Sequence, residues 1–154
     1  MAASVEFKVS DGGWADLSFH GPDGSVTLGV SDQMDPLGDL VRLALLAATC
    51  AAEGSFLSDG EGPEWRIEFH GIAAPGPHGP GQMQLTVWEG DGATLHKSEG
   101  RKIFRADYPT LDFARSVLAI ANTNREAYVR SWGREDCPPI AIAALAATLA
   151  AYDA

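Results

Sequence analysis

Cysteine is scarce in this 154-residue chain: it has only Cys50 and Cys137, far apart and without the close spacing of a redox or zinc motif. Neither a disulfide framework nor a cysteine-based metal site can organise such a sequence, and both thiols are expected to be reduced. Cys50 falls in an apolar helical run and reads as a buried, inert thiol. Cys137, beside Pro138 and Pro139, reads as structural because nothing shows a basic partner for it.

Positive charge is also in short supply. Eleven Lys and Arg stand against twenty-one Asp and Glu, a formal net charge of −10. Such a field opposes phosphate backbones and anionic headgroups, so neither nucleic acid nor a membrane surface is an expected partner; a basic protein is. Acidity also serves plain solubility, and by itself it specifies no task. Long apolar runs are missing too. The longest, Ile140 to Ala151, has about twelve residues where a spanning helix needs roughly twenty. No basic region followed by an apolar stretch occurs in Met1 to Ser10, so no secretory signal is read and a cytoplasmic location is expected.

The motifs of familiar chemistry are absent as well. His20, His70, His78 and His96 include no helical i, i+4 pair of the kind that binds zinc. No glycine-rich loop ends in Gly-Lys-Ser or Gly-Lys-Thr, and no Ser or Cys sits in a strand-turn-helix elbow. The acidic turns around Asp11, Asp23, Asp59, Glu61 and Asp91 lack the alternating ligands of a calcium loop. No cofactor and no metal are implied, and the absence of a catalytic signature leans away from an enzyme.

What the sequence does carry is periodicity. Val5, Phe7 and Val9, then Ala15, Leu17 and Phe19, then Val26, Leu28 and Val30 alternate with polar residues and are separated by Gly-rich turns, predicting a three-stranded meander. Asp35-Pro36 is an N-cap followed by a proline tolerated at the first helical position, opening a helix read as Pro36 to Glu53. That helix is apolar almost all round, which suits a place between layers or an oligomer contact. After a loop at Ser58 to Pro63, strands are predicted at Glu64 to His70 and Gln82 to Glu89, with weaker ones at Thr94 to His96 and Gly100 to Ala106. The Pro- and Gly-rich stretch Gly71 to Gly81 between them reads as an irregular hairpin tip. From Thr110 the period turns helical as far as a C-terminal cap at Gly133, with Asn122 to Asn124 a candidate bend, and Ile140 to Tyr152 forms a last helix. The expected architecture is one α+β domain over residues 1–154: an antiparallel sheet of about six strands with two or three helices on one face, in the order β-β-β-α-β-β-β-α-α.

Two groups of residues invite a functional reading. His20 and His70 end strands on the polar side, where Glu68 and Arg66 could join them as weak catalytic candidates; alternation alone also places such residues on an ordinary solvated face. Among the four tryptophans, Trp65 and Trp132 fall on core stripes, Trp14 opens a strand, and Trp88 points outward. An outward Trp88 flanked by Gln84, Thr86, Arg66 and Glu68 has the make-up of a protein-binding patch. Arg130 is placed to pair with Glu126 one helical turn away. The leading expectation is a small acidic protein-binding module, of immunity or adaptor type, for a basic partner. The alternatives are an enzyme or small-ligand binder on the polar sheet face, and a structural homodimer through helices 36–53 or 140–152.

Overall fold

A computed structural model describes residues 3–72, 76, 79–90, 100–134 and 139–154. The first three alternating segments form β1 (Ser4–Val9), β2 (Trp14–Gly21) and β3 (Gly24–Ser31), an antiparallel meander in which Phe7 lies opposite Leu17 and Leu17 opposite Leu28. One face buries Val5, Phe7, Leu17, Phe19, Leu28 and Val30. The Asp35 carboxylate then accepts the Gly38 N–H at 3.1 Å, and α1 (Pro36–Ala48) begins as its capping residues predict.

Nine of the thirteen residues of α1 are buried, so most of its apolar surface is spent inside the fold, with Leu46 the large apolar residue left exposed. The helix is shorter than its composition suggests. Cys50, at φ 67°, closes it in the left-handed conformation that glycine usually supplies. The Cys50 N–H returns to the Ala47 carbonyl at 3.1 Å and the Ala51 N–H to that of Leu46 at 3.0 Å, the paired bonds of a Schellman cap. Cys50 is therefore exposed, not the buried helical thiol its apolar neighbours suggest.

Released at Ala51, the chain enters a strand that sequence alone reads as helix end and loop. This strand, β4 (Glu53–Asp59), is followed by β5 (Glu64–Gly71), β6 (Gln82–Gly90) and β7 (Arg101–Pro109). Among the described residues, seven strands thus make two antiparallel sheets, β1-β2-β3 and β4-β5-β6-β7, where a single sheet of about six was expected. The α+β class and the overall alternation of strands and helices hold. A strand at Thr94 to His96 lies outside the described residues, as do residues 73–75 and 77–78 of the irregular tip, His78 among them, and Cys137.

The two sheets share one core because β7 lies against β2. Phe19 and Phe104 stack with ring centroids 6.1 Å apart. A Cβ on Gly21 would stand 2.8 Å from that of Ala106, so the seam needs glycine there. The Tyr108 hydroxyl lies 3.1 Å from the carbonyl oxygens of both Ser4 and His20, which share its single proton. Burial raises the Tyr108 phenol well above the ordinary tyrosine range.

Helix α2 (Thr110–Trp132) runs through Asn122 to Asn124 without a break, the Asn124 amide donating to the Ile120 carbonyl at 3.0 Å, and ends at Gly133 (φ 75°) as predicted. It packs on β1 and α1. Tyr128 donates to Asp35 at 2.7 Å and Trp132 to the Met34 carbonyl at 3.1 Å, so α2 clamps the start of α1. The last helix, α3 (Pro139–Asp153), buries Leu145 and Leu149 against α1 and α2. Its Tyr152 hydroxyl donates to the Ala48 carbonyl at 2.7 Å. No helix among the described residues is long and apolar enough to cross a membrane.

Two stability predictions follow from these contacts. Cys50→Gly removes the steric cost of a left-handed non-glycine residue and should raise stability by about 1 kcal/mol in urea denaturation; a loss would show that the thiol's own contacts outweigh backbone strain. Tyr108→Phe should cost about 1–2 kcal/mol at neutral pH by removing the one proton that the Ser4 and His20 carbonyls share. Because the folded-state value of Tyr108 is raised, wild-type stability should be retained below pH of about 10 and be lost as pH rises beyond it, more steeply than in Tyr108→Phe. Parallel pH profiles of the two proteins would contradict this.

Candidate functional site

With Ile67, Phe69, Leu85 and Val87 turned into the core, the alternate residues of β4 to β7 line the outer face of the second sheet in three rows. Leu57, Arg66, Trp88 and Lys102 form the first; Ser55, Glu68, Thr86 and Arg105 the second; Glu53, His70, Gln84 and Asp107 the third. A bulge separates Val87, opposite Phe104, from Trp88, opposite Lys102, leaving Ile103 as the extra residue.

Glu68 is the centre of this face. Its side chain is only 8% exposed although it points away from the core, because its neighbours in the rows close over it. The Trp88 indole N–H donates to Glu68 Oε1 at 2.8 Å, reaching diagonally across the β5–β6 pair. The Arg66 guanidinium stands 3.5 Å from Glu68 Oε2. His70 Nε2 lies 3.6 Å from Glu68 Oε1, and its Nδ1 lies 3.3 Å from Glu53. Thr86, directly opposite Glu68, is buried, and Gln84 donates to Asp107 at 3.4 Å. A largely desolvated carboxylate is held by cationic and N–H partners, and in return it fixes the plane of an aromatic ring.

The structure thus brings together Arg66, Glu68, His70, Trp88, Gln84 and Thr86. It does not bring His20 to them. β2 pairs only with β1 and β3, so His20 sits on the other sheet, its Nδ1 2.7 Å from Ser25 Oγ and its Nε2 3.4 Å from Glu6. The proposed convergence of the two histidines required one sheet and fails because there are two.

Glu53 and Ser55 belong to the site and escaped sequence reasoning. Only Phe56 is a large apolar residue on the inner side of β4, too little for a two-residue period to register. Trp65 and Trp132 are buried as their stripes predict, with Trp65 donating to Glu89 at 3.0 Å. Arg130 stands 3.9 Å from Glu126.

Glu53, Ser55, Arg66, Glu68 and His70 line a shallow polar hollow of about 350 Å³. A second hollow of about 350 Å³ opens at the end of α1, walled mainly by Ala47, Ala52, Phe69, Ile72 and Met83, with Cys50 on its rim. The first gathers several charged groups, whereas the second is mostly apolar. Among the described residues no group of three or more His, Cys, Asp or Glu side chains is arranged to hold a metal ion. Comparison of the chain with protein-family models, with curated proteins and with solved structures finds no match.

Replacing Glu68 by Ala should destabilise the fold by about 1–3 kcal/mol, since it strips Trp88 and Arg66 of a buried acceptor. Glu68→Gln keeps a carbonyl acceptor for the indole and should preserve more of the Trp88 environment. Denaturant titration with tryptophan fluorescence checks both, and equal effects of the two substitutions would deny the Trp88 bond its role.

Proposed function

We propose that the chain is a protein-binding module whose docking surface is the outer face of the second sheet, centred on Trp88, and whose partner is basic. The observation that carries this reading is the Trp88–Glu68 hydrogen bond, 2.8 Å long, on the solvent side of a sheet. The hydrophobic core does not use that indole ring, yet a nearly buried carboxylate holds it in one orientation. An aromatic ordered before contact loses little freedom on binding and makes a good anchor. The net charge of −10 favours a basic partner and faster encounter with it.

The polar hollow beside Trp88 supports a second reading, a small polar ligand gripped by Arg66 and His70. Those groups already engage Glu68 and Glu53, so a ligand would have to compete with existing pairs. Of the two helices considered for a homodimer, α1 keeps most of its apolar surface in the core but leaves Leu46 45% exposed, and α3 leaves Ile140 84% exposed.

Capture of partners from the native lysate by the tagged chain, at low and high salt, tests the docking face. One basic protein should be recovered in stoichiometric amount, be released at high salt, and be retained at least tenfold less by Trp88→Ala. Equal recovery by wild type and Trp88→Ala would remove the docking face from this surface, and a blank at every ionic strength would remove the module itself.

A further inference from the structure

Among the described residues the second sheet ends at β4, whose far end comes against β3 near Gly29 without joining its ladder. Among the described residues, β4 exchanges ladder hydrogen bonds with β5 alone. Every second residue of β4 therefore turns its N–H and C=O away from the sheet, the arrangement that accepts another strand.

Both layers beside this edge are unfinished. On the inner side, Phe56 is only partly buried. Leu46 of α1 would come within 3.2 Å of a Cβ on Gly54, yet it is 45% exposed. On the outer side, Glu53 and Asp59 stand at the two ends of the strand with Ser55 and Leu57 between them. An added strand would lay one set of alternate side chains over Phe56 and Leu46 and the other beside the two carboxylates.

Charge selects the occupant. Residues 53–71 carry Glu53, Asp59, Glu61, Glu64 and Glu68 against one cation, Arg66, which stands 3.5 Å from Glu68. A second copy of the chain is a poor fit. Antiparallel pairing of two β4 strands in full register, centred on Phe56, sets Glu53 against Asp59 twice, and like charges directly opposite one another destabilise a strand pair. We propose that the open edge of β4 receives an extended segment of the partner in which basic and apolar residues alternate, extending the second sheet by one strand. This rests on the protein-binding reading and adds to it the backbone form and the charge of what is bound.

The test uses the full chain and an eight-residue peptide of alternating lysine and valine. Two control peptides accompany it: one of alternating glutamate and valine, and the lysine–valine peptide N-methylated throughout. Amide hydrogen exchange should slow at least tenfold at residues 53–59 with the lysine peptide and with neither control. The Glu53→Lys/Asp59→Lys variant should bind the lysine peptide at least tenfold more weakly, while Asp16→Lys, exposed on the first sheet, should bind it as wild type does. The N-methylated control does not depend on how well any variant folds.

Unchanged exchange over 53–59 at saturating peptide would overturn the proposal, as would protection confined to residues 84–88. Protection of β4 that grows with protein concentration in the absence of peptide would give the edge to a second copy and equally overturn it. If Trp88→Ala loses the lysate partner while the peptide leaves β4 unprotected, the docking face stands and the edge falls. If the peptide protects β4 but Trp88→Ala keeps its lysate partner, the edge stands and the docking face falls.

Discussion

The hydroxyl of Tyr108 joins the two sheets at the point where neither could close a core alone. By serving the carbonyls of Ser4 and His20, it fastens β7 across β1 and β2, while Phe104 stacks on Phe19 and the glycine at position 21 admits Ala106. A three-stranded meander has one apolar face and must cover it; the four-stranded sheet has the same need, and each answers the other with help from the helices. Once both inner faces are committed, chemistry and recognition are left to outer faces, edges and helix surfaces. The polar rows around Glu68 are thus a product of the seam as much as of their own sequence.

Asp35 has a comparable role among the helices. Its carboxylate caps α1 through Gly38, accepts the Tyr128 hydroxyl and lies 3.4 Å from Arg42. The ring of Tyr128 is tilted over that of Trp132 at 4.2 Å and meets Phe7 edge-on at 5.8 Å. One side chain therefore couples the start of α1, the end of α2 and, through Tyr128, the inner face of β1. The helix order in sequence becomes a fixed arrangement in space through polar contacts whose partners lie 93 and 98 residues apart along the chain.

Local signals were legible wherever a period or a cap was strong. The meander, the cap at Asp35-Pro36, the strands bearing Trp65 and Trp88, and the end of α2 at Gly133 all follow from alternation, capping and turn chemistry. Two things were not legible. The end of α1 hides because Cys50 takes a left-handed conformation that its side chain does not advertise, so the alanines around it seem to prolong the helix into what is β4. The division into two sheets hides because strand order depends on contacts such as Tyr108 with His20, which have no sequence period. The site was half readable for the same reasons: Arg66, Glu68, His70 and Trp88 share a face by alternation, Glu53 joins only through the unrecognised strand, and His20 is separated by the unrecognised seam.

Helix α2, 23 residues long, extends about 34 Å, close to the diameter of a small domain. At its first residue the Thr110 N–H bonds the Gly81 carbonyl beside β6, and near its last turn Ser131 accepts the Gly13 N–H from the β1–β2 turn at 3.0 Å. It is a strut anchored in one sheet at one end and in the other sheet at the other. A load applied to the four-stranded sheet is carried by this rod to the far hairpin, so the two sheets resist splaying as a braced frame does.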